Sequence, residues 1–119
     1  MKREFIFILF FLIAVSLCGC VGPSGYDSLD AKLYCDSFEL KITNENEYVW
    51  NSITVILNEK YEFFFLSLSS GDSRAISLYD FSDPNGMSFL PDFQVAKFVV
   101  IRASKPDGEV GSYSGEVTK

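Results

Sequence analysis

The feature that most constrains the fold is a series of short segments, from Phe38 onward, in which apolar and polar residues alternate. A period of two places the apolar side chains on one face of a β-strand. In residues 38–43 this pattern predicts that Phe38, Leu40 and Ile42 face inward. Residues 53–57 repeat the alternation, and turn residues separate such segments at intervals of roughly 8–12 residues. The sequence therefore predicts an all-β domain.

The remaining strands are predicted from apolar runs and from the turns between them. Tyr61 to Leu68 (YEFFFLSL) is apolar on both faces, which predicts a central or covered strand. Arg74 to Leu78 alternates again, Phe98 to Ile101 is a buried-type run, and Tyr113 to Lys119 is predicted as a weak edge strand. Turn residues occupy 44–47, 58–60, 69–73, 82–86 and 105–108. Tyr26 to Leu33 is predicted to form a short helical turn.

These strands fit a small antiparallel β-sandwich of immunoglobulin-like type. About six or seven short strands with regular turn signals are typical of that class, and 119 residues allow a single domain. Trp50 is expected at the centre of the core, and the residues expected to flank it are Phe38, Leu40, Val55, Phe65 and Val100. A small antiparallel barrel is the alternative architecture.

The first twenty residues have the composition of an export signal. Met1 to Glu4 is a short charged head, and Phe5 to Val15 is an unbroken apolar run (FIFILFFLIAV) followed by small residues. This order is typical of a helical secretory signal. The run is shorter than the roughly 20 apolar residues that a spanning helix needs. An uncleaved membrane anchor and a plain signal peptide with incidental cysteines are the alternatives.

Leu17-Cys18-Gly19-Cys20 resembles the lipobox of prokaryotic lipoproteins, in which leucine is followed two residues later by glycine or alanine and then by cysteine. The resemblance implies a diacylglycerol on the Cys20 sulfur, cleavage between Gly19 and Cys20, and often an acyl chain on the new amino group. These residue types suit the chemistry, because a thiolate is readily alkylated and glycine lets a protease approach the backbone closely. We expect an extracytoplasmic protein that is lipid-anchored to the cell membrane or the outer membrane.

The predicted organisation has three parts. Residues 1–19 are the lipoprotein signal peptide, residues 20–31 are a flexible lipid-anchored tether, and residues 32–119 are the β-sandwich. With Cys18 removed and Cys20 lipidated, Cys35 is the remaining thiol and no internal disulfide can form. We expect Cys35 to be a buried, small apolar residue, and an intermolecular disulfide is the alternative.

The composition argues against several kinds of site. The chain has no histidine, so it can build neither a Cys/His zinc site nor a Ser-His-Asp or Cys-His catalytic arrangement. Its formal charge is −6, whereas nucleic-acid binding needs a basic surface. Glycine-rich phosphate-binding motifs do not occur in the sequence. We therefore expect no enzyme activity, no cofactor and no nucleic-acid partner.

Carboxylates and amides cluster around the predicted loop at 82–86. Oxygen atoms of Asp80, Asp83, Asn85 and Asp92 could hold calcium. Their spacing differs from that of an EF-hand loop, and such residues are typical of turns. We expect an ordinary solvated loop and no metal site. A hydrolase that uses carboxylates such as Asp80 and Asp83 is the least favoured functional alternative.

The surplus of aromatic residues is the better indication of a binding surface. One core centre cannot hold all of Tyr48, Tyr61, Phe63, Phe64, Tyr79, Phe89 and Phe93. Pro91 indicates that residues 89–93 are not a regular central strand. We predict that Phe89, Pro91 and Phe93 form a surface for a protein or carbohydrate partner. The alternative is that these aromatics lie on two sheet faces partly covered by loops.

A broader likeness rests on short motifs across residues 38–103. Ile42-Thr43-Asn44, Tyr48-x-Trp50-Asn51 and Asn85-Gly86 resemble, in their order, small secreted or lipid-anchored bacterial β-sandwich modules. Residues 76–80 (ISLYD) are similar to the signature of the FxLYD family, with isoleucine where that signature has phenylalanine. The resemblance implies no catalytic residue. We predict a non-enzymatic binding or structural module of the cell envelope, or alternatively a subunit of an envelope complex that docks through an edge strand or the aromatic segment.

Overall fold

The computed structural model describes residues 28–117, which form seven β-strands. The strands are β1 (Ala31–Cys35), β2 (Glu39–Asn44), β3 (Trp50–Leu57), β4 (Tyr61–Leu68), β5 (Ser73–Ser77), β6 (Phe98–Ser104) and β7 (Val110–Glu116). A 3-10 turn, Leu78–Asp80, follows β5. In this part of the chain no helix is long and apolar enough to cross a membrane. The predicted signal peptide, Gly19 and Cys20 lie outside the described residues.

The seven strands form two antiparallel sheets that pack face to face. One sheet has the order β1-β2-β5 and the other has the order β4-β3-β6-β7. The predicted small β-sandwich is thus confirmed. Unlike the constant-type immunoglobulin arrangement, β4 pairs with β3 rather than joining the sheet of β5. No strand ladder within the described residues joins the two sheets, so the barrel alternative is wrong.

The core lies between the sheets and is built from the inward-facing residues of both. Trp50, Leu40 and Val55 are fully buried and Phe65 is nearly so, as predicted. Ile42 is buried as well, because β2 keeps the alternation that its sequence predicts. Buried side chains from β1, β2 and β5 belong to the same cluster as those from β3, β4 and β6.

Two predicted core residues lie elsewhere. Phe38 precedes β2 and is 53% exposed. Its backbone N–H and that of Glu39 both donate to Asp36 Oδ1, at 2.9 and 2.8 Å, so a tight turn holds Phe38 outside the strand. In β6 the inward residues are Val99 and Ile101, which leaves Val100 on the outer face of the sheet.

The prediction for β4 was also wrong in one respect. Its aromatic residues on both faces indicated a central or covered strand, but β4 lies at an edge of its sheet. The inner face of this edge is covered from the other sheet, because the Arg74 guanidinium lies 4.8 Å from the Phe65 ring centroid and 5.7 Å from that of Phe63.

The antiparallel ladders give the sandwich two distinct ends. β1, β3, β5 and β7 start at one end, where β2, β4 and β6 finish. The first described residues lie there, so we name it the entry end. The opposite end, which we name the distal end, carries the β1–β2 turn, the β3–β4 turn and the β5–β6 connection.

The chain enters the sandwich at β7. The backbone N–H groups of Ser28 and Leu29 both donate to Ser112 O at 3.0 Å, and the N–H of Ser112 donates to Ser28 Oγ. Leu29 is buried above Gly111, where a Cβ atom would lie 2.7 Å from Leu29 Cδ2. The last residues of the predicted tether, 28–31, therefore belong to the sandwich. No helical turn forms in the described part of 26–33, because β1 begins at Ala31 and pairs with β2.

A buried amide joins the two sheets at the entry end. Asn44 is completely buried, and its Nδ2 donates to the carbonyls of Tyr48 and Leu68, both at 2.9 Å. Its Oδ1 accepts the backbone N–H of Asn46, whose own Oδ1 accepts the indole N–H of Trp50. Each polar atom of the Asn44 side chain is thus hydrogen-bonded, as burial requires.

Candidate functional site

The longest connection in the described chain joins β5 to β6 at the distal end. It runs from residue 78 to residue 97 and has only one short 3-10 turn, so we name it the distal loop. Connections longer than about 12–15 residues with little secondary structure are uncommon in compact domains, and where they are ordered they are usually functional. The distal loop is therefore the first place to look for a binding surface.

Three buried apolar residues anchor the first part of the distal loop. Leu78 is almost completely buried, and Phe81 and Phe89 are completely buried. The Phe89 ring meets the Tyr61 ring edge-on, with centroids 5.2 Å apart and planes at 83°. Between Phe81 and Phe89 the chain folds back on itself, since the Phe89 N–H donates to Phe81 O at 2.8 Å.

A hydrogen-bonded turn forms the tip of the distal loop. The backbone N–H groups of Phe93 and Gln94 both donate to Leu90 O at 2.9 Å. The Leu90 N–H in turn donates to Gln94 Oε1, and Gln94 Nε2 donates to Tyr61 Oη, each at 2.9 Å. The tip is thus closed by its own backbone and tied to β4 through one amide side chain.

Asn58, in the β3–β4 turn, fixes the end of the distal loop. Its Nδ2 donates to Val95 O at 2.9 Å, and its Oδ1 accepts the N–H groups of Lys97 and Phe98 at 2.8 and 3.1 Å. Asn58 has a φ of 52°, in the left-handed region that asparagine tolerates better than most residues. The turn at 58–60 was predicted from the sequence, but the role of Asn58 could not be, because its partners lie 37–40 residues further along the chain.

The anchored tip presents three apolar side chains to solvent. Phe93 is 84% exposed, Val95 is 53% exposed and Leu90 is 44% exposed. We name these three residues the distal surface. Because the backbone on both sides is pinned, binding a partner here would order little additional chain, and such preorganisation favours affinity.

The structure places the predicted surface residues Phe89, Pro91 and Phe93 in three different environments. Phe93 is exposed and is one of the three residues of the distal surface, and Pro91 beside it is partly buried. Phe89 is completely buried, which corrects its assignment to the surface. Residues 89–93 do not form a strand. The alternation of apolar and polar residues could therefore not predict which aromatic side chain packs against Tyr61.

A shallow depression of about 480 Å³ lies beside the distal surface. Its walls are mainly apolar, and its lining residues are Asn58, Glu59, Gln94, Val95, Lys97 and Phe98. The Asn58 side chain is already hydrogen-bonded to the backbone of Val95 and Lys97. The charged groups that remain exposed at the depression are the side chains of Lys97 and Glu59, which have opposite signs. Its shape suits a side chain of a protein partner better than an enclosed small molecule.

Two further exposed aromatic residues lie at the distal end. The rings of Phe38 and Tyr79 are nearly parallel, with centroids 6.3 Å apart and an interplanar angle of 8°. The Tyr79 hydroxyl donates to Asp92 Oδ2 at 2.9 Å. This hydrogen bond is the main reason that the pKa of Tyr79 is raised, with smaller contributions from desolvation and from the negative charge of Asp92.

The loop carboxylates shape turns. Asp83 Oδ1 accepts the N–H groups of Asn85 and Met87, both at 2.9 Å, and Asp83 Oδ2 lies 3.9 Å from Lys60 Nζ. Asp92 bonds to Tyr79 instead. Among residues 28–117, no group of three or more acidic or sulfur ligands comes close enough to hold a metal ion.

The other singled-out residues lie mostly in or near the core. Tyr61 is buried, Tyr48 and Phe63 are partly buried, and Phe64 is 55% exposed on the outer face of β4. Cys35 is buried at the end of β1, as predicted, and its Sγ donates to the carbonyl of Asp36. The predicted lipidation site, Cys20, lies outside the described residues.

Comparison with known proteins adds no relative to this description. The chain matches no protein-family model, no curated protein and no solved structure.

Proposed function

We propose that the protein is a non-enzymatic, lipid-anchored module of the cell envelope that binds a protein partner through its distal surface. The observation that carries the proposal is the rigid presentation of Phe93, 84% exposed, on a loop pinned at both ends. Isolated exposed apolar residues are common on protein surfaces. Several of them on one ordered loop are characteristic of binding sites.

The lipid anchor is supported by the lipobox-like residues Leu17 to Cys20. A diacylglycerol on Cys20 with a second acylation would give stable membrane attachment, since two or more chains hold a protein where one does not. From Cys20 to the start of the described chain there are eight residues, which span at most about 26–29 Å when fully extended. The sandwich would therefore remain close to the bilayer.

The two ends of the sandwich support this assignment of roles. The chain enters at one end, through Ser28 and Leu29, and six of the ten large apolar side chains that are exposed in residues 28–117 lie at the other. The large apolar side chains exposed at the distal end are Phe38, Tyr79, Met87, Leu90, Phe93 and Val95. An anchor at the entry end would leave the distal end facing away from the membrane, where a partner can reach it.

A protein partner is favoured over a carbohydrate partner by the makeup of the distal surface. Leu90 and Val95 flank Phe93 and are aliphatic, whereas sugar rings pack on flat aromatic faces and need several hydrogen-bonding groups nearby. Interfaces between proteins are commonly centred on an aromatic residue surrounded by less important contacts. The alternative is a subunit of an envelope complex that docks through an edge strand or through this aromatic segment.

Site-specific photo-crosslinking in intact cells tests the proposal. A photo-reactive phenylalanine analogue at position 93 is expected to give a discrete crosslinked protein product. The same analogue at Val110, which is 68% exposed at the entry end, is the matched control and should give none. Substitution of Leu90 and Val95 by Ser should weaken the crosslink at position 93. Equal products from positions 93 and 110, or no product from position 93, would contradict the binding role.

The anchor has a separate test. Cys20→Ala should release the protein from the membrane fraction or prevent its processing, whereas Cys35→Ala should do neither. Membrane retention and mass that are unchanged in Cys20→Ala would contradict the lipid anchor.

A further inference from the structure

A second depression, of about 300 Å³, lies on the outer face of the three-stranded sheet. It is more enclosed than the depression beside the distal surface, and its walls are more polar. Apart from one carboxylate, every side chain that lines it can donate a hydrogen bond. We name it the lysine pocket, and its lining residues are Lys32, Tyr34, Lys41, Thr43, Glu45 and Ser73.

The strand register explains why the sheet is hollow at this point. Thr43 of β2 lies between Lys32 of β1 and Ser73 of β5, which pair with it on either side. In the next outward-facing row, Tyr34 pairs with Lys41. Directly paired residues share a face of the sheet, and so do residues two positions apart in a strand. Two short side chains are therefore bordered by longer ones on the same face.

The two lysines are positive charges without a partner in the described part of the chain. Lys32 and Lys41 are exposed diagonal neighbours across β1 and β2, and such neighbours are about 7–8 Å apart. Within residues 28–117 neither ammonium group forms an ion pair or a hydrogen bond. Carboxylates are plentiful, since the chain has 16 acidic and 10 basic residues. Like charges this near repel each other, so an anion between them would relieve the repulsion.

Hydroxyl groups add neutral donors between the two charges. Thr43 Oγ1 and Ser73 Oγ are hydrogen-bonded at 2.7 Å, and either atom can be the donor. One hydroxyl hydrogen makes this bond, so the other remains available to a ligand. Tyr34 is 62% exposed, and its hydroxyl has no hydrogen-bond partner among the described residues. The pocket thus offers two ammonium groups and two available hydroxyl donors.

Glu45 is the carboxylate among the described lining residues. It directly follows the last residue of β2, and its backbone N–H donates to Asp30 O at 2.9 Å. Its side chain is exposed and forms no ion pair with a residue in 28–117. A negative charge at this place weakens the attraction of the pocket for an anion. Neutralising Glu45 should therefore have the opposite effect to neutralising either lysine.

We propose that the lysine pocket binds a phosphate group, which its two ammonium groups and its available hydroxyls hold from three strands. Lysine binds phosphate as a point charge, whereas planar carboxylates are best matched by the forked guanidinium of arginine. Donors that surround a hollow from several sides suit a tetrahedral group with several acceptor oxygens. Because the sequence has no glycine-rich phosphate loop, the donors are side chains and not backbone N–H groups.

The phosphate can come from a lipid headgroup or from a free phosphate ester. The pocket lies toward the entry end, since Lys32 is the second residue of β1 and Ser73 is the first residue of β5. Lys32 comes four residues after Ser28, where the chain joins the sandwich. A headgroup of the anchoring membrane is therefore a source close to the pocket, and this source relies on the proposed anchor. The pocket itself does not.

A ligand in the pocket is compatible with the proposed role of the distal surface. Asn58, which fixes the distal loop, lies between β3 and β4 of the four-stranded sheet. The lysine pocket lies on the outer face of the other sheet and nearer the entry end. A headgroup bound there would tilt the sandwich and leave the distal end facing the solution. The two sites share no residue, so each has its own test.

An NMR titration of the full chain tests the pocket. The protein is purified from its native membranes, kept in an uncharged, phosphate-free detergent, and titrated with inorganic phosphate at constant ionic strength. Backbone amide signals of β1 and β2 are expected to shift and to saturate. Lys32→Gln and Lys41→Gln should each raise the dissociation constant about five- to tenfold, because a charge-assisted contact is lost. Lys105→Gln, in the β6–β7 turn, is the matched control and should leave the constant unchanged.

Variants that keep the charge distinguish a site from general electrostatic attraction. Tyr34→Phe, and the double change of Thr43→Val with Ser73→Ala, remove hydroxyl donors and should weaken phosphate binding about two- to tenfold. Glu45→Gln should strengthen it. Circular dichroism checks that each variant is folded. Hydroxyl variants that bind phosphate as the unchanged chain does, or equal effects of Lys32→Gln and Lys105→Gln, would overturn the proposal.

Reconstitution of the full chain in nanodiscs distinguishes the two sources. The amide signals are compared in discs of phosphatidylcholine and in discs that also contain phosphatidylglycerol, before and after addition of inorganic phosphate. A headgroup ligand predicts that the anionic lipid reproduces the phosphate-induced shifts. A free ester predicts shifts only on addition of phosphate. Either result supports the pocket, and signals that respond to neither probe would overturn it. None of these results bears on the crosslink at position 93.

Discussion

Asn58 Nδ2 donates a hydrogen bond of 2.9 Å to the carbonyl of Val95, which lies 37 residues further along the chain. This bond, with the two that Asn58 Oδ1 accepts, ties the distal loop to the β3–β4 turn. An exposed apolar residue on a fixed backbone can act as a preformed contact for a partner. The distal surface therefore depends on a side chain that is not itself part of it.

Asn58→Gly should loosen the distal loop without straining the turn. Glycine accepts the positive φ of 52°, so the substitution removes the side-chain hydrogen bonds selectively. Hydrogen bonds of this kind, which are exposed or partly buried, contribute about 0.5–1.5 kcal/mol each, and proteolysis near 90–95 should become faster. Glu59→Gly is the matched control, since Glu59 also has a positive φ, of 61°, in the same turn. If both variants are cleaved at the same rate, Asn58 does not hold the loop.

Gly111→Ala should displace the entering chain. The new Cβ would lie 2.7 Å from Leu29 Cδ2, so the buried Leu29 side chain has to shift. Overpacking of this kind costs about 1–3 kcal/mol, measured by urea denaturation. Leu29→Ala removes the clashing atoms, so the cost of Gly111→Ala should be much smaller in that background. Additive costs of the two substitutions would show that Leu29 does not pack on Gly111.

Asn44→Ala should destabilise the sandwich more than a surface substitution does. It leaves the buried carbonyl of Leu68 and the carbonyl of Tyr48 without the donors they have now. Unsatisfied buried groups cost about 1–3 kcal/mol each. Asn51→Ala, on the exposed side of β3, serves as the control for the loss of an asparagine. Equal urea midpoints for the two variants would contradict a bridging role for Asn44.

The Tyr79–Asp92 pair predicts a pH dependence at the distal end. The hydrogen bond raises the pKa of Tyr79 in the folded protein, so its contribution is fully present below the ordinary tyrosine pKa of about 10. That contribution is lost as the pH rises through the raised pKa. Asp92→Ala should lower the pKa of Tyr79 toward its ordinary value, as followed by NMR of the tyrosine ring carbons. A titration of Tyr79 that is unchanged in Asp92→Ala would show that the bond is not formed in solution.

The alternation of apolar and polar residues predicted most of the strands, because one face of β2 and β3 packs in the core and the other face points outward. Leu40 and Ile42 are buried for that reason, and the sandwich follows from the number and spacing of such segments. The order of strands in a sheet is not a local property. The apolar residues of Tyr61 to Leu68 indicated a central or covered strand. In the structure Arg74 lies over the inner face of this strand, and its outer face is exposed to solvent.

The candidate site was predicted only in part for a related reason. An aromatic segment with proline indicated an irregular, exposed region, and Phe93 fits that prediction. The sequence could not distinguish Phe93 from Phe89, because the burial of Phe89 depends on Tyr61 in a distant strand. The role of Asn58 likewise depends on hydrogen bonds to residues that are distant in the sequence and meet Asn58 only in the folded chain, such as the one from the Lys97 N–H.

The most direct test of the central claim, a lipid-anchored module at the cell envelope, is the intact mass of the native protein extracted from membranes. The account predicts a polypeptide that begins at Cys20 and carries a diacylglycerol, with or without an additional acyl chain on its amino group. A polypeptide that begins at Met1 and carries no lipid would contradict it.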